Sequence, residues 1–471
     1  MLFNSLIFIL FLAIVLFMHH LPLSWKVKKL NLCLASYLFY AAWNPPFVVL
    51  LWISTLVDWL AGQKIAAASR PGTRRFFLGL SLAVNLGLLG YFKYGGFLLE
   101  NFVAMLELMG IHFRPAAPGI VLPVGISFYT FQSLSYSLDI YRGKLKPWPS
   151  FLDFSLFVTF FPQLVAGPIV RAVEFLPQCI KKRRATAEQL GWGLAMLALG
   201  LFEKVILADT LAGPVADQVF GAPARAGVVD AWVGTLAFSA QIFFDFAGYS
   251  TCAIGVALCL GFVLPENFHC PYAAMGFSEF WRRWHISLSS FLRDYLYFWL
   301  GGSRKGPLRT TINASATMLL GGLWHGAGWH FVIWGGIHGF LLAGERALKS
   351  IFQDRIDTSG TGARLTLMLA TYCIICITWV FFRAADTGAA VMLLTAMTGG
   401  REGDLLSAPA ISWICLLTMF MLAGQWLLRD LDFRTALSLI PWWLRSAALA
   451  VIFLILVLAP GEERAFIYFQ F

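Results

Sequence analysis

The chain has 471 residues, of which 59% are hydrophobic and only 13% are charged. A soluble domain carries about 25% charged residues, so this class is excluded. Apolar runs near the roughly 17–25 residues of a bilayer span recur along the chain, which predicts an all-α polytopic membrane protein. A transmembrane barrel is excluded because its strands would appear as alternating segments of about ten residues.

The net charge of +10 comes from Lys and Arg residues that cluster in short segments between the apolar runs. This distribution follows the positive-inside rule rather than forming one basic surface, so nucleic-acid binding is not predicted. Lys26, Lys28 and Lys29 follow the first apolar run, 1–20, and place its end in the cytoplasm. We therefore expect a multi-pass membrane protein, in contact with lipid, whose N-terminus lies on the outer side.

Further apolar runs are predicted to span the membrane in chain order. They cover 30–43, 46–62, 76–92, 188–208, 228–246, 248–262, 365–384, 409–427 and 441–460. Asn44-Pro45-Pro46 separates the first two of these as an outer turn, because proline cannot continue a helix. Segment 97–109 either spans the membrane or lies flat, and 386–398 is a weak candidate.

Residues 121–143 form an apolar run that contains Ser, Thr, Gln, Tyr and Asp. Polar groups at membrane depth must face protein or a wet cavity. Two interpretations stay open: hydrogen bonds between helices, or a contribution to a functional site through Ser127 and Gln132. Farther along, Pro162 and Gly167-Pro168 are expected to break a helix. Polar residues in the next apolar runs, Glu203-Lys204, Asp209 and Asp245, are expected to form buried ion pairs or to lie at helix ends.

Four of the eight histidines, His285, His325, His330 and His338, lie between residues 278 and 339. An ionisable group at membrane depth is costly, so function is the first hypothesis for them. The first half of this interval mixes arginines with aromatic residues, which is typical of an interfacial or re-entrant helix. Its arginines either obey the positive-inside rule or receive an anionic cytosolic substrate.

The second half contains LWHGAGWHFVIWGGIHG, whose glycines permit close helix packing or a broken helix. The histidines are separated by 40, 5 and 8 residues, and no carboxylate lies between Asp294 and Glu345. This spacing does not favour a metal site. Imidazoles without a metal are suited to general acid–base catalysis, because their pKa of about 6.5 lies close to neutrality.

Several ordered motifs resemble the membrane-bound O-acyltransferase family, in particular its bacterial branch that modifies polysaccharides. They include FWRRWHISLS (280–289), GGSRKG, LWHGA, GIHG, FFDFAGYS, ENF..PY and the residues 468–471. The resemblance extends across most of the chain, and it implies the bacterial inner membrane with a periplasmic N-terminus. It implies one acyltransferase domain, 1–471, with a catalytic core at about 119–345 and a ring of about eleven tilted helices, plus re-entrant helices, around a central tunnel.

The resemblance also implies site residues. His325 of the W-H-G motif is the expected general base at the tunnel constriction. His285 of the R-W-H motif is expected to position or polarise a thioester, or to stabilise an oxyanion. The expected supporting or substrate-binding residues are His338, Trp324, Trp284, Arg282, Arg283, Arg304, Ser127 and Gln132. Residues 282–309 would form a cytosolic donor vestibule, and His330 is not expected to take part.

The implied reaction moves an acetyl group from cytosolic acetyl-CoA to a hydroxyl on the periplasmic side, with no bound cofactor and no metal. That hydroxyl would belong to a serine of a periplasmic partner enzyme, which then acetylates an alginate-like polysaccharide. Two alternatives stay open: an acyltransferase acting on peptidoglycan or lipid, and a transporter or export subunit for polysaccharide or acyl groups. Such a transporter would explain the spans and the intramembrane polar groups equally well.

Overall fold

The computed structural model describes residue 1 and residues 3–116, 119–352, 360–399, 402–459 and 464–467. The motif at 468–471 therefore lies outside the described residues, as do residues 353–359 of segment 349–363, which the sequence predicts to be an exposed polar loop. Helices dominate the described chain, and no β-strand occurs in it. The predicted all-α class is confirmed.

The helices are numbered in chain order over the described residues. They are α1 (Leu6–His20), α2 (Trp25–Ala41), α3 (Val48–Ala67), α4 (Pro71–Leu108), α5 (Ile126–Tyr141), α6 (Phe151–Thr159), α7 (Phe161–Leu164), α8 (Ala172–Phe175), α9 (Ala187–Leu201), α10 (Gly213–Phe220), α11 (Val228–Cys259), α12 (Phe277–Arg283), α13 (Ile286–Phe291), α14 (Gly306–His325), α15 (Trp329–Phe352), α16 (Thr361–Arg383), α17 (Thr387–Thr398), α18 (Ala408–Leu428), α19 (Phe433–Ser438) and α20 (Trp442–Leu458). Two π-helical segments, Phe202–Ala212 and Leu292–Tyr297, continue α9 and α13.

Six helical segments among the described residues are long and apolar enough to cross a membrane. They are Pro45–Ala67, Pro71–Leu108, Ala187–Phe220, Val228–Cys259, Thr361–Arg383 and Ala408–Leu428. Three shorter apolar helices are Leu6–His20, Thr387–Thr398 and Trp442–Leu458. A multi-pass membrane protein is thus confirmed, whereas the count of about eleven spans, the ring and the tunnel stay predictions.

Two predicted boundaries are wrong. Segments 76–92 and 97–109 belong to one helix, α4, and segments 228–246 and 248–262 are joined in α11. Neither helix contains a proline after its first turn, so nothing interrupts its backbone hydrogen bonds. Gly248 stays helical within α11, where the absence of a side chain lets the backbone approach Gly200.

The first of two compact units comprises Met1–Leu197 and Ala253–Pro265. A buried polar network joins three of its helices. Asp58 of α3 accepts hydrogen bonds from Asn85 of α4 at 2.9 Å and from Ser137 of α5 at 3.1 Å. Interhelical hydrogen bonding is therefore confirmed for this part of the polar run 121–143. The predicted helix break is present, because α6 ends at Thr159 before Pro162.

The second unit comprises Ala198–Cys252 and Glu266–Phe471. Its π-helical segment 202–212 carries a buried ion cluster in which Lys204 pairs with Asp209, at 2.8 Å, and with Asp245 of α11. The backbone N–H of Ile467 donates to Asp245 at 2.8 Å. These contacts confirm the buried ion pairs expected for Lys204, Asp209 and Asp245.

Candidate active site

The chain is sharply broken at His285, between α12 and α13. His285 has a φ of 42°, and it shares a positive φ with only Cys270 among the described non-glycine residues. This left-handed conformation is uncommon for a residue with a side chain, and strain of this kind clusters at functional sites. The backbone of Asn267 holds the break, because its carbonyl accepts the N–H of Ile286 at 2.9 Å.

The side chain of Asn267 also binds the residues of the break. Its Oδ1 lies 3.1 Å from Nδ1 of His285 and accepts the backbone N–H of Ser287 at 3.3 Å and its hydroxyl at 2.8 Å. The Nδ2 group of Asn267 donates to the Ser250 hydroxyl of α11 at 3.1 Å. One asparagine therefore contacts three successive residues, 285–287, through its backbone and side chain.

Aromatic rings surround the imidazole of His285, which has no exposed surface. Phe246 of α11 packs edge-on at 4.6 Å between ring centroids, and Trp324 of α14 lies at 6.0 Å. The Trp324 ring is in turn 5.0 Å from the ring of His325. The two histidines predicted to be catalytic thus flank a single tryptophan.

His325 is the last residue of α14 and is 3% exposed. Its ring meets Trp334 of α15 and Phe382 of α16, each at 5.2 Å and nearly edge-on. The next residue, Gly326, is where a side chain would collide with the ring of Phe331. The glycine of the W-H-G motif therefore lets α15 pack close to the end of α14 and enclose His325.

A cavity of about 480 Å³ reaches His325. Trp334, Met318 and Gly321 line it near the histidine, and Thr317 and Ser289 add hydroxyl groups. Three arginines with exposed side chains also line it: Arg282, Arg293 and Arg346. The cavity therefore joins a rim of three exposed arginines to a buried imidazole.

His338 of α15 is fully buried, and both of its ring nitrogens are hydrogen-bonded. The indole N–H of Trp281 donates to Nδ1 at 3.3 Å, so Nε2 carries the proton and donates to Thr378 at 3.1 Å. Trp281 and Trp334, which flank this ring, both line the cavity. His338 therefore contacts two residues of the cavity wall, and its supporting role in the reaction stays a prediction.

Arg283 does not line the cavity. Its Nε is 2.9 Å from the carboxylate of Glu279, which also pairs with Arg429 at 2.7 Å. Although burial opposes ionisation, the Met275 N–H and the two guanidinium groups hold the pKa of Glu279 below its usual value. Arg283 thus ties α12 to the end of α18, and its predicted contact with substrate stays a prediction.

The remaining predicted site residues lie elsewhere. Trp284 is fully buried against Phe280 and Trp379, within the aromatic core of the second unit. Arg304 is exposed in the turn before α14 and is not a lining residue of the cavity. Ser127 and Gln132 are buried on α5 in the first unit, where the Gln132 amide has no hydrogen-bond partner among the described residues.

Several residues of the site were missed by sequence reasoning. Arg346 lines the cavity rim, and Asn267 and Ser287 hold His285. Arg293, which also lines the rim, falls within the predicted vestibule 282–309 but was not singled out. The ENF..PY motif that contains Asn267 was noticed only as part of a family pattern. No spacing rule connects it to a histidine eighteen positions later, at the far side of a chain break. Within the described part of the chain, no group of three or more His, Cys, Asp or Glu residues could hold a metal ion.

Comparison with known proteins gives a consistent result. Residues 145–382, about half of the chain, match the sequence pattern of the membrane-bound O-acyltransferase family. The chain is 42% identical over 402 residues to the probable alginate O-acetylase AlgI of Pseudomonas putida, covering 84% of this chain and 80% of that protein.

Two further relatives carry other names. The peptidoglycan O-acetyltransferase of Helicobacter pylori is 37% identical over 430 residues, covering 85% of this chain and 80% of that protein. The teichoic acid D-alanyltransferase of Streptococcus thermophilus is 30% identical over 281 residues, covering 55% and 67%. These three relatives are named for the acetylation of alginate, the acetylation of peptidoglycan and the D-alanylation of teichoic acid.

Proposed function

Because the chain belongs to the membrane-bound O-acyltransferase family and is an acyltransferase, we propose that it transfers acetyl from cytosolic acetyl-CoA to a hydroxyl on the periplasmic side of the inner membrane. The names of its relatives support acetyl as the transferred group, since the alginate and peptidoglycan relatives are both named for O-acetylation. The excess of Lys and Arg between the apolar runs supports a cytosolic position for the basic segments.

The observation that carries this proposal is the position of His325. It is a buried imidazole that lines a cavity whose rim bears Arg282, Arg293 and Arg346. Guanidinium groups bind phosphates in a bidentate manner, so the rim suits the phosphates of acetyl-CoA. The acetyl thioester would then extend into the cavity toward His325.

In the proposed step, the acceptor hydroxyl attacks the thioester carbonyl carbon. His325 accepts the hydroxyl proton as general base, at a hydrogen-bond distance of about 2.6–3.2 Å in the productive complex. The C–S bond breaks as the ester C–O bond forms, and the proton passes to the departing thiolate. Enclosure of His325 by Trp324, Trp334 and Phe382 keeps bulk water from competing as an acceptor.

We propose that the acceptor hydroxyl belongs to a serine of a periplasmic partner that acetylates an alginate-like polysaccharide. The chain is 42% identical to a probable alginate O-acetylase and 37% identical to a peptidoglycan O-acetyltransferase, which favours the alginate-like acceptor. The test is to delete the gene, restore it on a plasmid and measure acetate esters on secreted polysaccharide and on peptidoglycan. Loss of esters from peptidoglycan alone would contradict the alginate-like acceptor.

Replacing His325 tests the catalytic proposal. We expect His325→Ala and His325→Gln to lower transfer of radiolabelled acetyl from acetyl-CoA by about 10²–10⁴-fold, the usual contribution of a general base. His330→Ala is the matched control, because His330 lies in the same helical hairpin but does not line the cavity. Undiminished transfer by the His325 variants at normal protein levels would refute the assignment, as would an equal loss in the control.

A further inference from the structure

The orientation of the Asn267 side chain is set by a backbone group. The N–H of Ser287 points to it at 3.3 Å, and a backbone N–H is always a donor. The atom that faces Ser287 must therefore be the amide oxygen, Oδ1, and the amide nitrogen must face the hydroxyl of Ser250. A hydroxyl accepts as readily as it donates, so both ends of the amide are satisfied in this orientation alone.

This orientation determines the tautomer of His285. Its Nδ1 lies 3.1 Å from the same Oδ1, which can only accept, so Nδ1 must carry a proton. A neutral imidazole with a proton on Nδ1 has a lone pair on Nε2. Burial between Phe246 and Trp324 disfavours the cationic ring, because desolvation penalises the charged form.

We infer that Asn267 is a positioning residue for the acyl transfer proposed above: it holds His285 in the Nδ1–H tautomer, in which Nε2 is a hydrogen-bond acceptor. An acceptor at Nε2 cannot polarise the thioester oxygen or stabilise an oxyanion, which both require a donor. Of the roles expected for His285, positioning of the donor is the one that this tautomer supports.

Other titratable groups lie on the elements around His285. Asp245 of α11 is paired with Lys204, and Arg283 of α12 is paired with Glu279. His269 lies 3.4 Å from Glu266, and His325 lies beyond the Trp324 ring. These pairs are the same in a variant changed only at position 267, so a difference in pH dependence between that variant and the unmodified enzyme reports on His285.

The test is Asn267→Asp in the full-length protein. A carboxylate still accepts the Nδ1–H of His285. Its negative charge favours the imidazolium and typically raises the pKa of the ring by about 1–3. Since Nε2 accepts only in the neutral ring, we expect the acid limb of the kcat/KM profile to move to higher pH. Ser250→Ala is the control, because it removes only the partner of Nδ2, and its acid limb should stay in place.

Two results would overturn the inference. An unchanged profile with a uniform loss of rate would show a merely structural role for Asn267. A gain of activity at neutral or alkaline pH would show that a protonated His285 is the active form.

A second measurement requires neither acetyl-CoA nor a folded, active Asn267→Asp variant. Carbon-13 shifts of the imidazole carbons, recorded on histidine-labelled protein in bilayers, distinguish the two tautomers. The signal of His285 is assigned by its loss in His285→Gln. A signal of the Nδ1–H tautomer supports the inference even if acetyl-CoA is not the acyl donor. A signal of the Nε2–H tautomer overturns it.

Discussion

The histidines between residues 278 and 339 differ in their chemistry because their contacts with neighbouring residues differ. His338 receives a hydrogen bond from Trp281 and donates one to Thr378, so both of its ring nitrogens are hydrogen-bonded within the protein. Asn267 instead accepts the Nδ1–H of His285, which gives this ring the opposite tautomer. His325 lies at the cavity instead, in contact with three aromatic rings. The sequence predicted that histidines matter in this interval, but the assignment of each one depends on its neighbours.

The arginines can be separated by experiment. Arg282 lines the cavity and Arg304 does not, so we expect Arg282→Ala to raise the KM for acetyl-CoA by about tenfold, as for the loss of one charge-assisted hydrogen bond. Arg304→Ala is the matched control and should leave KM unchanged. With acetyl-pantetheine, which lacks the nucleotide phosphates, neither variant should differ from the unmodified enzyme. An equal increase of the KM for acetyl-CoA in both variants would show that the rim does not bind acetyl-CoA at a defined place.

At the scale of elements, the close pairing of α14 and α15 encloses the candidate catalytic base. A side chain at Gly335 would collide with the carbonyl of Met318, and one at Gly339 would press on the backbone of Ser315. The glycine pattern predicted close packing or a broken helix, and the structure has both, since the helix is interrupted between His325 and Trp329. Close approach of the two helices also brings Trp334 to the ring of His325.

A single methyl group tests this packing. We expect Gly335→Ala to destabilise the protein by about 1–3 kcal/mol, because overpacking forces the helices apart, and to lower acetyl transfer with it. Gly344→Ala is the control: Gly344 lies in the same helix, and a Cβ there meets nothing within 4 Å. Thermal unfolding in detergent, followed through exposure of the buried cysteines, measures both variants. A midpoint for Gly335→Ala equal to that of the control would contradict the role of close packing.

At the scale of the whole molecule, the distribution of charge predicts which side of the membrane each turn faces. Residues 303–305 form part of an exposed basic turn, and the turn at Asn44-Pro45-Pro46 is expected on the outer side. Both expectations rest on the sequence, since charge between apolar runs is what orients a membrane chain.

Cysteine labelling measures this topology. We expect Ala42→Cys to react with a membrane-impermeant maleimide in intact spheroplasts. Ser303→Cys should react only after the inner membrane has been permeabilised. The unsubstituted chain corrects for its own exposed thiols, Cys373 and Cys415. Labelling of Ser303→Cys in intact spheroplasts would place the basic turn in the periplasm and contradict a cytosolic donor.

The sequence by itself determined the helical membrane class, the family and the two histidines of interest, because composition and local motifs are properties of short segments. It could not determine the close approach that keeps α11 continuous through Gly248, since the contact between Gly248 and Gly200 involves residues far apart in the chain. Only the tertiary structure brought Arg293 and Arg346 to one rim, and Asn267 to His285. An amide that fixes a tautomer acts through direction and distance, and these exist only once the chain has folded.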